Sequence, residues 1–125
     1  MYKPPQLYHD LMRFYKIYWQ SHQHLPKAFR QTTGESILFI LTDGLGQVAA
    51  ANLAGVSLED RRQAAAELQD LRLGLEKVRA FLTLAWELKF ISHPVMHDLG
   101  GRLDGLGRQT TRWRNWFGKG AADNA

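Results

Sequence analysis

The sequence contains no cysteine. That excludes disulfides, thiolate nucleophiles, Cys-ligated zinc and iron–sulfur clusters, and it agrees with a reducing compartment. Proline is scarce: Pro4, Pro5, Pro26 and Pro94 all lie near expected segment ends. Long stretches are therefore free of the strongest helix breaker. No apolar run reaches the ~18 residues that suggest a membrane span. The start, Met-Tyr-Lys-Pro-Pro, has no charged-then-apolar secretory pattern. A soluble, cytoplasmic protein is expected. No serine or threonine stands in a recognisable nucleophile motif, so catalysis has no positive signal, and no cofactor is expected.

The chain has 125 residues, 45% of them hydrophobic and 22% charged, the composition of one globular domain. Lysine and arginine number 16 against 12 acids, a net charge of +4. The surplus permits a nucleic-acid or acidic partner. It is unevenly spread. Residues 1–34 carry five bases and one acid, and residues 92–125 five against three. Residues 35–57 hold only Glu35 and Asp43, while 58–91 balance six against six. The basic residues thus gather on the first and fourth segments and at the start of the second. The rest of the second segment, nearly uncharged, is expected to be the most buried.

Apolar periodicity predicts four helices. The first runs from about Gln6 to Ser21, with Leu7, Leu11, Phe14 and Tyr18 on one stripe. A turn at 22–26 follows, because the residue before Pro26 is pushed out of helical geometry. The second runs from Lys27 to about Ala54 through Ile37, Leu41 and Val48. Its Gly34, Gly44 and Gly46 each weaken it by up to ~1 kcal/mol, unless they serve close packing or a kink. The third runs from Leu58 to about Ile91. Ser57 and Asp60 resemble a capping box at its start, and Leu68, Leu71, Leu75, Val78, Leu82 and Ala85 form its stripe. Ser92 and Pro94 restart the chain as a fourth helix lined by Leu99, Leu103, Leu106, Trp113 and Phe117, ending at Gly118-Lys-Gly120. The expected architecture is all-α, an up-down-up-down four-helix bundle over residues 1–120, with 121–125 a disordered tail.

Two of these helices carry a second apolar line. Phe81, Leu84, Leu88 and Ile91 lie nearly opposite the main stripe of the third helix. Tyr8, Met12, Tyr15 and Trp19 lie about 100° from the stripe of the first. Soluble monomers rarely expose such lines. An obligate oligomer is expected, with Tyr8, Met12, Tyr15, Trp19, Phe81, Leu84 and Leu88 at the subunit interface.

Two short motifs are weak. Gly44-Leu-Gly46-Gln-Val-Ala49 matches a dinucleotide fingerprint, but no second strand pattern follows it. His93 and His97 stand one helical turn apart, yet Pro94 occupies the position of the metalloprotease glutamate and no third ligand beyond Asp98 is evident. No metal is expected. The basic faces are stronger. Arg108, Arg112 and Lys119 fall together opposite the stripe of the fourth helix; Arg13 and Lys16 do the same on the first, and Lys27 and Arg30 open the second. Such faces neutralise phosphates by charge and, for arginine, by bidentate hydrogen bonds. Arg13, Lys16, Lys27, Arg30, Arg108, Arg112 and Lys119 are the expected nucleic-acid contacts. Arg72 and Arg79, seven residues apart beside the third stripe, are either intrahelical partners of acids or a partner or pore site.

Four stretches together carry a family resemblance: Leu25-Pro-Lys-Ala-Phe-Arg-Gln-Thr-Thr-Gly34; Ala51-Asn52; the run from Leu73 to Ser92 with Leu-Glu-Lys-x-Arg and Leu-Ala-x-Glu-Leu-Lys; and Leu106-Gly-Arg-Gln-Thr-Thr-Arg-Trp113. Over roughly Tyr8 to Trp113 the chain resembles the accessory variability determinant (Avd) proteins of diversity-generating retroelements. It is also similar to the four-helix-bundle proteins encoded in intervening sequences of bacterial 23S rRNA genes. The resemblance implies a homopentameric ring with a basic surface. It further implies a non-catalytic protein that binds the retroelement's reverse transcriptase together with template RNA and cDNA during mutagenic cDNA synthesis. The intervening-sequence branch implies instead an oligomeric interaction protein with no retroelement role.

Overall fold

The computed structural model describes residues 5–123, with side chains as far as Lys119. Four helices account for nearly all of it, and there is no strand among the described residues. Helix α1 spans Gln6–His22. The second helical stretch comprises Lys27–Phe29, a π turn at Arg30–Gly34, and Glu35–Asn52. These three pieces follow one another without a break and form one helix, α2, at 27–52. Helix α3 spans Leu58–Glu87 and α4 spans His93–Asp123. Each helix packs on the next, and α1 also meets α4.

The core is the meeting of the expected stripes. Leu7, Leu11, Phe14 and Tyr18 are buried, as are Leu68, Leu71, Leu75, Val78, Leu82 and Ala85. From α4 come Leu99, Leu103, Leu106 and Phe117, with Trp113 half-buried beside them. Each fully buried Leu or Phe contributes roughly 1.5–3 kcal/mol. Thr110 also lies in this stripe. It is tolerated because its hydroxyl donates to the Leu106 carbonyl at 2.7 Å, leaving no unpaired polar group.

Local chemistry explains the helix ends. Ser57 caps α3, its hydroxyl accepting from the Asp60 amide at 3.0 Å. The far end departs from expectation: α3 stops at Glu87 rather than near Ile91. The Phe90 amide bonds the Ala85 carbonyl and the Lys89 amide bonds that of Trp86, a Schellman closure. Lys89 takes the left-handed conformation, φ 65°, that glycine usually fills. The reversal turns Ile91 inward, so it is buried rather than part of the outer apolar line. The Ser92 hydroxyl then accepts from the Val95 amide at the start of α4. Neither Gly118 nor Gly120 ends that helix, which continues to Asp123. Of the expected tail, residues 124 and 125 lie outside the described residues.

Close helix contacts define the packing. A Cβ on Gly44 would come within 2.8 Å of Leu71 and 3.4 Å of Leu11, so this glycine lets α2 approach α1 and α3. The segment matching a dinucleotide fingerprint is thus mid-helix packing surface with no strand before it. Ile40 lies against Gly74, and the Phe29 and Phe90 rings meet edge-to-face at 5.1 Å. Helix α2 is not the most buried element. Phe39 is 70% exposed, because the apolar run 37–41 is wider than the face that α1 and α3 cover.

Candidate functional site

The outer seam between α3 and α4 gathers the most charge. On α3 the residues 65, 69, 72, 76 and 79 follow the 4,3,4,3 spacing of one helical face. Residues of α4 line the opposite bank. Arg72, Arg79, Arg108 and Arg112 share one groove with Glu76 and Asp104, a cavity of about 530 Å³. The guanidinium of Arg72 lies over Gly107, where even a methyl would be only 3.6 Å away.

The two acids in this groove are already occupied. Arg72 pairs with Glu76 one turn along α3, and Arg79 reaches across to Asp104 on α4. Arg108 and Arg112 make no ion pair or hydrogen bond among the described residues, and both are exposed. They stand four residues apart on one helix face, where like charges repel. An anion bridging them relieves that repulsion, and two guanidinium forks suit oxyanions in particular.

The seam continues toward the end of α4. There Gln69 accepts from Arg114, and Ala65, Asn115, Gly118 and Lys119 line a second hollow of about 610 Å³. At its end Arg61 of α3 lies over the ring of Trp116, 5.0 Å from the centroid. From Arg61 to Arg79 the seam runs about 27 Å, at ~1.5 Å per residue.

The seven expected nucleic-acid residues do not form one site. Arg108, Arg112 and Lys119 lie on the seam and are joined there by Arg72 and Arg79. Arg13 lies on the other flank of α4, in a groove with Asp10, Arg102 and Gln109, and Lys16 is exposed one turn along α1. Lys27 and Arg30 sit at the α1–α2 turn, where Arg30 donates to the Gln23 carbonyl at 3.3 Å. Arg72 has the intrahelical acid partner that its spacing allowed, whereas the partner of Arg79 belongs to another helix.

The expected interface residues divide similarly. Trp19, Leu84 and Leu88 are exposed. Tyr8, Tyr15 and Phe81 are half-buried against the core, and Met12 is half-buried. Tyr15 stacks on Trp19, which stacks in turn on His22. Among the exposed apolar residues outside the expected lines, Phe39 and Leu73, the latter at 51% exposure, share a groove on the α2–α3 side with Asp43, Asp70 and Lys77. The continuous apolar run around Phe39 hid it.

One polar cluster is buried. Tyr18 and His22, one turn apart on α1, share a hydrogen bond of 3.1 Å, and the Tyr18 hydroxyl is 3.5 Å from the Gly34 carbonyl in the π turn. Burial lowers the His22 pKa, Arg30 lowers it further, and Glu35 opposes them. Burial raises that of Tyr18. His93 and His97 are exposed, with His93 beside the Trp86 ring, and no group of three metal-ligating side chains comes together among the described residues. Among those residues no helix is long and apolar enough to cross a membrane. No protein-family model, curated protein or solved structure matches this chain.

Proposed function

We propose that this protein is a non-catalytic accessory factor of a diversity-generating retroelement. It holds the phosphates of template RNA and cDNA along the α3–α4 seam and docks a reverse transcriptase. The observation that supports nucleic-acid binding is the gathering of Arg72, Arg79, Arg108 and Arg112 in one groove whose only acids are already paired. The retroelement context and the polymerase partner rest on the motif resemblance from Leu25 to Trp113. The bundle is up-down-up-down. Partners of α2 at 29, 40 and 44 descend on α3 through 90, 74 and 71, and partners of α3 at 69 and 72 descend on α4 through 114 and 107. A homopentameric ring repeats the seam around its axis and multiplies its field. Exposed Trp19, Leu84 and Leu88 supply apolar area for the subunit contacts.

The second reading is an oligomeric interaction protein of the intervening-sequence type. The apolar surface at Phe39 and Leu73, outside the basic seam, favours it. Binding to a structured RNA at physiological salt separates the two. The accessory-factor reading requires binding that collapses in Arg108→Glu/Arg112→Glu while the variant keeps its helical signal. The interaction-protein reading requires no tight binding by either. Gene context tests the retroelement assignment on its own: a reverse-transcriptase gene and a pair of near-identical repeats beside the coding sequence are expected, and a location inside an rRNA gene contradicts it. Light scattering at micromolar concentration tests the ring, which a monomeric mass excludes.

A further inference from the structure

Trp116 is 57% exposed, more than the other exposed tryptophans Trp19 and Trp86. It is nevertheless held in place. Its ring packs edge-on against Phe117, which is buried in the core, at 4.9 Å. Arg61 lies over the ring from α3. The Arg61 Nε is buried without a hydrogen-bond partner, and the side chain makes no ion pair among the described residues. A planar aromatic with a cation at 5.0 Å and ample exposed surface is half of a stacking sandwich. It stands one turn of α4 beyond Arg112 of the basic groove.

We propose that Trp116, backed by Arg61, is a stacking platform for one unpaired base of a single-stranded nucleic acid whose phosphates run along the α3–α4 seam. This rests on the phosphate-binding reading of that seam. A duplex does not fit the platform, because its bases already have both faces covered. An aromatic face accepts any base, so the contact adds affinity for single strands without reading sequence. Arg61 over the ring, and Arg112 and Lys119 within one turn of Trp116 on α4, favour a polyanion over an apolar peptide as the occupant.

The test uses three fluorescent probes of equal length: an oligo-dT strand, the same strand with abasic sites, and a duplex. The wild-type protein is expected to prefer oligo-dT over the abasic strand by about 10-fold, within the range for one stacked base. Trp116→Ala abolishes that preference and leaves the abasic affinity and its salt dependence unchanged. Trp116→Tyr retains most of it, which separates stacking from a general loss of structure. Arg108→Glu/Arg112→Glu weakens all three probes alike. Equal wild-type affinity for oligo-dT and abasic strands, or an oligo-dT affinity indifferent to Trp116→Ala, overturns the platform while leaving the phosphate reading intact. Failure to bind any probe at low salt overturns both.

Discussion

Arg79 and Asp104, twenty-five residues apart in sequence, bridge α3 and α4 at one end of the basic groove. The pair does two things. It ties the helices that share the longest interface, and it occupies the groove's one α4 carboxylate. Both side chains are partly exposed, at 33% and 59%, so solvent screens the attraction.

Replacing Asp104 by Asn removes that carboxylate with little change of shape. Arg79 is then released to the groove. RNA affinity at low salt is expected to rise roughly 3- to 10-fold, fading as salt increases. Stability falls by less than ~1 kcal/mol, as for a surface pair. Filter binding and a urea melt measure the two effects, and a drop in affinity contradicts the assignment.

The two glycines of the Gly44-Leu-Gly46 step make opposite predictions. Gly44→Ala forces its Cβ to 2.8 Å from Leu71 and destabilises the bundle by about 1–3 kcal/mol. Gly46→Ala meets nothing within 4 Å in a helix interior and stabilises it by roughly 0.5–1 kcal/mol. Thermal melts of the pair give the signs directly.

Lys89 holds a left-handed conformation in the α3 closure. Lys89→Gly relieves the Cβ conflict there and raises stability by up to about 1 kcal/mol. Lys89→Val lowers it, because a β-branched side chain is strained at positive φ. Urea melts of the two variants are expected to move in opposite directions from the wild type.

The buried His22 has a lowered pKa, so the unfolded chain binds its proton more readily than the folded one. Its contribution is full above the ordinary histidine value near 6.5. It is lost as pH falls from there through the lowered folded value. Urea midpoints of the wild type are expected to fall across this window. In His22→Gln that part of the fall disappears, while the acid loss due to carboxylates remains at lower pH.

The stripes from Leu7 to Tyr18 and from Leu68 to Ala85 were legible because a single helical period sorts them, and the Ser57 cap because it is local. The end of α3 was hidden, since Lys89 fills a position that glycine usually announces. Phe39 was hidden by apolar neighbours on both sides. The seam was legible only in halves. The spacing of Arg108 and Arg112 marked one face and that of Arg72 and Arg79 another. Their union depends on the register of α3 against α4, set by contacts such as Arg72 over Gly107 that neither helix carries in its own pattern. The same register brings Arg61 to Trp116, which no spacing rule links.

The central claim is that Arg108 and Arg112 hold phosphates. The most direct measurement is the slope of log affinity against log salt for a single-stranded RNA, in the wild type and in Arg108→Gln/Arg112→Gln. Each phosphate contact on a single strand contributes about 0.7 to that slope. With two contacts removed, the variant is expected to bind more weakly, with a slope shallower by about 1.4. An unchanged slope would mean that these arginines touch no phosphate and that the seam is not the nucleic-acid site.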